Sequence, residues 1–324
     1  MFFRNLTLYR FPWAPDSLLY RAFASEPNHQ SDEKAADEAL NTLLDLQRLK
    51  PVGPLEMSSR GFVSPYGRDS DQTDALTIIH GEFGWITVGG QDKLLPGSVV
   101  NNTVEAKVTE IEKREGQRPG GRARKRIKDD VIHELLPKAF VREQRTDAFL
   151  DMQHGFIAVD SSSRKTSDAV CSELRGALGS FPALPLNAEV APRSVLTAWL
   201  AGEQLPAGLS LGEDCELRDP IEGGARVRCN HQELRSDEVS KHLEAGKQVT
   251  RLELVLDDHV AFVLGDDLVI RRLRFLDGAI DKLDGNDAEG VSAELDARFN
   301  LMACEVRRLF LLLEQALHIS KAGG

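Results

Sequence analysis

The 324-residue sequence predicts an α+β fold in which antiparallel sheets are segregated from their helices and one helical arm stands out from them. Three observations predict it. Hydrophobic residues make up 41% and charged residues 28%, the balance of a folded chain long enough to bury two or three cores. Paired apolar runs joined by turn residues recur, each followed by a segment of helical period. Single residues do not repeat with that pattern, which excludes a solenoid.

Asn5 to Phe11 alternates as a strand, with Leu6, Leu8 and Arg10 set against Thr7, Tyr9 and Phe11. Residues 27–34 form a polar loop, and Ser31 or Asp32 is placed to cap a helix through Leu40, Leu43, Leu44 and Gln47. Glycines and prolines between Pro51 and Arg68 predict mostly loop. Ala75 to Gly90 is a hairpin turning near Gly81–Gly84. After Pro96, Val100, Val104, Val108 and Ile111 mark one helix. Gly116 to Gly121 breaks it, and Ile127, Val131 and Leu135 mark a second that Pro137 ends. These two form the antiparallel arm.

Thr146 to Asp160 is a further hairpin, turning at His154-Gly155, and a helix from about Thr166 to Leu178 stops at Gly179. The proline-punctuated stretch Phe181–Pro192 is the best boundary. Beyond it come a short helix (Ser194–Ala201), a capped one (Ser236–Ala245) ending at Gly246, and strands from Val249 to Phe275. Those strands break at Asp257-Asp258 and Gly265-Asp266-Asp267. Val291, Leu295, Phe299, Met302, Val306, Leu309, Phe310, Leu313 and Leu317 keep a 3–4 spacing and predict a long C-terminal helix. The expected domains are residues 1–92 with 146–190 (central α+β), 93–145 (arm) and 191–324 (C-terminal α+β).

No apolar run reaches the roughly 18–20 residues of a membrane span, and the start lacks the features of a secretory signal, so a cytoplasmic protein is expected. Cys171, Cys215, Cys229 and Cys304 form no C-x-x-C pair and read as buried thiols of a reducing compartment. Enzyme motifs fail on inspection. His133-Glu134 lacks a second histidine four positions on, where Pro137 stands, and Gly246-Lys247 lacks the upstream glycine of a phosphate loop. Glu105-Ala106-Lys107 has nuclease-like spacing but lies in a helix, where residues two apart diverge. Asp284-Gly285-Asn286-Asp287 lacks the glycine and glutamate of a calcium loop. No catalytic residue, metal ligand or cofactor is expected.

Charge is the stronger signal. Formal net charge is −11, so a polyanion can be bound only by cations gathered on one surface. Arg118, Arg122, Arg124, Lys125, Arg126 and Lys128 crowd the arm turn, and Lys107 shares a face with Arg114 on the first arm helix. Arg272 and Arg274 fall on one face of a strand, with Arg251 on an adjacent strand.

Several segments resemble the bacterial recombination-associated RdgC family. Leu135-Leu136-Pro137-Lys138-Ala139-Phe140 is similar to its LLP-basic-AF segment, and Leu178 to Leu186 to its LGS-x-P-x-x-PL stretch. His242 to Thr250, followed by Arg251-Leu252, resembles its H-x-EAGK-x-VT-basic-L signature. Phe3-Arg4-Asn5-Leu6 with Tyr9-Arg10, Asp74 to Thr77, Leu95-Pro96 and Arg271 to Phe275 fit as well, in family order.

The resemblance implies a nucleoid-associated protein that binds double-stranded DNA without sequence preference, with single-stranded DNA as a further candidate, and restrains RecA-promoted recombination. It implies a ring-shaped homodimer with a positively lined hole. It carries a dimer-contact phenylalanine onto Phe140 and a glutamine linked to the DNA path onto Gln232. Relatives can carry lysines just before that glutamine, where this chain has Asn230 and His231. The expected DNA-contacting set is therefore Lys107, Arg118, Arg122, Arg124, Lys125, Arg126, Gln232, Arg251, Arg272 and Arg274. A metal-dependent nuclease and an acidic module that binds RecA directly are the competing classes.

Overall fold

Antiparallel pairing builds two sheets in the computed structural model, which describes residues 2–12, 19, 31–67, 74–221, 224–284 and 291–320. The strands are β1 (Thr7–Arg10), β2 (Ser58–Val63), β3 (Thr77–His80), β4 (Phe83–Leu94), β5 (Phe140–Asp151), β6 (Phe156–Val159) and β7 (Leu184–Pro185), then β8 (Leu209–Arg218), β9 (Arg226–Cys229), β10 (Gln248–Leu256), β11 (Val260–Gly265) and β12 (Ile270–Phe275). Eight α-helices accompany them among the described residues. They are α1 (Ser31–Asp45), α2 (Gly97–Glu115), α3 (Gly121–Leu135), α4 (Arg164–Leu178), α5 (Pro192–Ala201), α6 (Asp237–Glu244), α7 (Asp277–Asp284) and α8 (Val291–Ala316). The α+β class with antiparallel sheets is thus the observed one.

Two compact units divide the chain: Met1–Leu46, Ser64–Thr87 and Thr146–Gly324 in the first, Gln47–Val63 and Val88–Arg145 in the second. The strand order is β2-β4-β5-β6-β1-β7 in one sheet, with β3 paired to β4 off that path, and β12-β11-β10-β8-β9 in the other. Leu6 and Ile270 exchange backbone hydrogen bonds of 2.8 and 3.0 Å, so the residue before β1 also holds the start of β12. That double duty buries β1 on both faces. Thr7 and Tyr9 are as hidden as Leu6 and Leu8, which corrects the expected one-sided alternation.

The core of the first unit is aromatic. Phe3 packs against Trp85 and Phe149, which meet Phe299 of α8, and Phe156 stacks on Phe310 with ring centroids 4.2 Å apart. Edge and offset contacts of this kind add to the area each ring buries. The 3–4 spacing of α8 is what aims Phe299, Met302, Val306, Leu309, Phe310 and Leu313 at one side, and all six are buried. Turn glycines do what the sequence implies at Gly81 and Gly155, with φ of +56° and +62°.

Other expectations are met in part. Pro51 to Arg68 is mostly loop, as expected, with the single strand β2 within it. Gly61 sits beside Phe62, whose N–H donates to the Gln47 carbonyl, and a Cβ there would lie 2.5 Å from that oxygen. The glycine that reads as a loop signal is a site of close backbone approach within a strand. Ser236 stands at the start of α6 without making a side-chain cap bond. Cys304 is exposed, unlike Cys171, Cys215 and Cys229. Residues 27–30 of the polar loop and Gly285-Asn286-Asp287 of the calcium-like run lie outside the described residues.

Candidate nucleic-acid interface

In the second unit, α2 and α3 pack through Val100, Val104, Val108 and Val131, with Leu95, Ile127, Ile132 and Leu135 around them. Gly116 takes φ +71° and donates its N–H to the Glu112 carbonyl, closing α2 as a left-handed cap. The helix that follows begins unusually. Its first turn carries no acidic residue and its N-cap, Gly120, supplies no side-chain cap. Arg122, Arg124, Lys125 and Arg126 instead crowd the end where amide donors and the helix dipole already favour an anion.

The predicted cations divide by what they touch. Lys107 is held by Glu134 at 2.5 Å, Arg118 by Glu105 at 3.0 Å, and Arg124 by the same Glu105. Glu105 therefore neutralises part of the cluster. Arg122, Lys125, Arg126 and Lys128 are exposed and make no ion pair among the described residues. Lys125 and Lys128 line a shallow groove of about 450 Å³ with Asn101, Glu105 and Arg124.

A second cationic surface lies in the first unit, on the solvent face of the sheet β12-β11-β10-β8-β9. Strand alternation turns Leu252, Leu254, Cys215, Leu217 and Phe262 into the core and leaves Arg226, Arg228, Arg251, Arg272 and Arg274 exposed on the other side. Each of those arginines has a carboxylate. Arg226, Arg228 and Arg251 converge on Glu216 at 3.4, 2.8 and 3.9 Å. Arg272 reaches Asp214 and Arg274 reaches Glu253, both at 2.7 Å. Burial would raise the Glu216 carboxyl, but the Arg228 hydrogen bond and the charges of Arg226, Arg251 and Arg228 together hold it below the ordinary carboxylate range. Asp214 is likewise held low: burial pushes it up, and the His231 N–H with Arg272 outweighs that.

Arg251 does not stand on the strand next to Arg272 and Arg274. Hairpin connectivity inserts β11 between β10 and β12. The small residues Ala261, Val263 and Gly265 of β11 leave room for long side chains to cross it, as the Arg274–Glu253 bond does. Neither Arg226 nor Arg228 was picked out from the sequence, although R-x-R two apart on a strand puts both on one face. The buried acids Asp214, Glu216 and Glu253 were missed too, since their neutralising role depends on register. Gln232 lies beside this sheet, donating its N–H to the Glu213 carbonyl at 3.3 Å, in a groove with Leu205, Leu211 and Leu234.

Phe140 opens β5 in the second unit and is 83% exposed, beside the exposed Val141. Leu55, Met57, Leu94 and Val99 of the same unit are exposed as well, so unburied apolar side chains are concentrated there. His133 is a surface residue of α3. Among the described residues, no group of three or more His, Cys, Asp and Glu side chains is placed to hold a metal, and no helix is long and apolar enough to cross a membrane.

Comparison with known proteins decides the family. A family model described as "Putative exonuclease, RdgC" matches residues 1–320. The chain belongs to the RdgC family. It is 64% identical over 322 residues to "Recombination-associated protein RdgC" of Xanthomonas campestris pv. campestris (strain B100), covering 99% of each chain. The protein of the same name from Xanthomonas axonopodis pv. citri (strain 306) is also 64% identical, over 99% of this chain and 100% of its own. That of Stenotrophomonas maltophilia (strain R551-3) is 58% identical over the same shares. The family expected from the LLPKAF, LGSFPALPL and HLEAGKQVTRL segments is therefore the observed one.

Proposed function

We propose that this RdgC-family chain binds double-stranded DNA through its phosphates without reading sequence, acting as a ring-shaped homodimer at the nucleoid in the cytoplasm. In this reading it restrains RecA-promoted recombination by occupying DNA, and it turns over no substrate. The observation that carries the proposal is the set Arg122, Lys125, Arg126 and Lys128: exposed, without an ion pair among the described residues, and gathered in the first half of one helix in a chain of net charge −11. A helix start with surplus cations and uncapped amides is unfavourable alone and favourable against phosphate. The arginine face of the second sheet adds cations whose positions are fixed by Asp214, Glu216 and Glu253.

Titration over a salt series tests the electrostatic part. With roughly four to six phosphate contacts, log K is expected to fall against log salt with a slope of about −4 to −5. Duplexes of unrelated sequence are expected to bind within a few-fold of each other, and a tenfold sequence preference that persists at high salt would overturn the proposal. Single-stranded DNA in the same assay separates strand form from charge. RecA binding that survives salt abolishing DNA binding would favour direct contact instead.

The family description favours an exonuclease as the second reading. Linear and supercoiled duplexes incubated with magnesium or manganese discriminate. Release of nucleotides or nicking, lost on no purification step, would establish turnover.

Phe140 is the proposed two-fold anchor. An aromatic side chain 83% exposed on a strand start is costly in water and valuable when a partner covers it, by about 2 kcal/mol or more. Phe140→Ala is expected to raise the dimer dissociation constant about thirtyfold by sedimentation, leaving the thermal unfolding of the protomer nearly unchanged. An unaltered dimer would remove Phe140 from the interface.

A further inference from the structure

We propose that Cys215 and Cys229 form a redox couple, closing a cross-strand disulfide that pins β9 to β8 under oxidising conditions. The register places the two residues directly opposite each other in adjacent antiparallel strands. Opposed residues of such strands have Cα atoms about 4.5–5.5 Å apart, inside the range of about 4.4–6.8 Å that a disulfide spans. Both side chains are buried in the same core cluster. Cys171 and Cys304 have no such counterpart, standing on α4 and α8.

Position in the sheet gives the couple its consequence. β9 is the four-residue terminal strand of its sheet and carries Arg226 and Arg228, both aimed at Glu216 of β8. A short terminal strand is the part of a sheet that opens most readily. A disulfide at its last residue removes that freedom and fixes both arginines over Glu216. The couple does not depend on what those arginines bind.

Access sets the rate. Burial pushes the Cys215 thiol up, so thiolate is scarce while β9 is closed, and reaction has to follow opening. Once open, one thiolate attacks the O–O bond of a hydroperoxide, giving a sulfenic acid and releasing the reduced oxygen as water or an alcohol. The second thiolate attacks that sulfur and displaces hydroxide, which leaves as water after taking a proton. With hydrogen peroxide, two thiols lose two electrons and two protons, and one peroxide becomes two waters.

The experiment uses the full chain, wild type and Cys229→Ser, treated with hydrogen peroxide under native conditions. Mass mapping of the digested wild type is expected to find a peptide pair joined through Cys215 and Cys229, two hydrogens lighter and separated by dithiothreitol. The rate of linkage is expected to level off as peroxide rises, because strand opening becomes limiting. Amide exchange in β9 is expected to slow about tenfold or more after oxidation. The Cys229→Ser chain is expected to show no linkage at Cys215. Two outcomes overturn the proposal: both thiols remaining free until the chain is unfolded, or separate oxidation of each to sulfinic acid without a link. Preservation of the wild-type chain throughout keeps the result independent of whether the serine variant folds.

Discussion

Replacing Asp151 by alanine is expected to cost about 3 kcal/mol of unfolding free energy, because the half-buried Arg307 loses its fully buried partner and keeps only Glu82, at 3.3 Å and itself exposed. The Asp151 side chain is fully hidden at the end of β5, where it accepts from Arg307 Nε at 2.5 Å and Arg307 Nη2 at 3.0 Å. It also accepts the His154 backbone N–H at 2.9 Å, fixing the β5–β6 turn. Arg307 in turn lies 4.0 Å over the Phe83 ring, so one guanidinium ties α8 to two hairpins. Urea unfolding of Asp151→Ala measures the loss through the midpoint at unchanged slope. Combining it with Arg307→Leu is expected to recover part of the stability, since the half-buried charge left with Glu82 alone goes too. A loss below about 1 kcal/mol in the single variant would mean that water reaches the guanidinium and the pair holds little.

That ion pair also shows where sequence reasoning stops. The 3–4 spacing of α8 and the alternation of β10, β11 and β12 are visible along the chain because each element is apolar at its own period. Asp257-Asp258 reads correctly as a turn, and both residues adopt positive φ there. By contrast β8 carries Glu213, Asp214, Glu216 and Arg218 among its ten residues, and its charges mask the inward Cys215 and Leu217. Nothing local says that Asp214 and Glu216 will be buried and paired with arginines from three other strands. Bulges shift the register between Leu252 and Leu254 and between Ala261 and Val263, so even known strands would not reveal which cation meets which acid. The cationic run of α3 was legible because it is contiguous. The arginine face, assembled from β9, β10 and β12, was legible only in part.

The same difference orders the two surfaces by their expected effect on DNA. Arg122, Lys125 and Arg126 make no ion pair among the described residues, so a phosphate approaching them displaces only water and counterions. Arg272 and Arg274 each hold a carboxylate at 2.7 Å, and a phosphate has to compete with Asp214 or Glu253 for the same guanidinium. Replacing Arg122, Lys125 and Arg126 together by glutamine is expected to reduce the magnitude of the salt slope by about 2 to 3, at up to 0.9 per lost contact. At 0.1 M salt that corresponds to a fall in affinity of about 100-fold or more. Arg251, Arg272 and Arg274 replaced together by glutamine are expected to lose less, because Glu216, Asp214 and Glu253 already engage those guanidiniums and leave them less free for phosphate. Arg307 is unsuited as a control, being committed to Asp151, and Arg308 is paired with Asp257 and Glu305. Affinity over a salt series, with urea midpoints confirming that both triple variants are folded, decides between the surfaces. A sheet variant that loses more slope than the helix variant would move the DNA path to the arginine face.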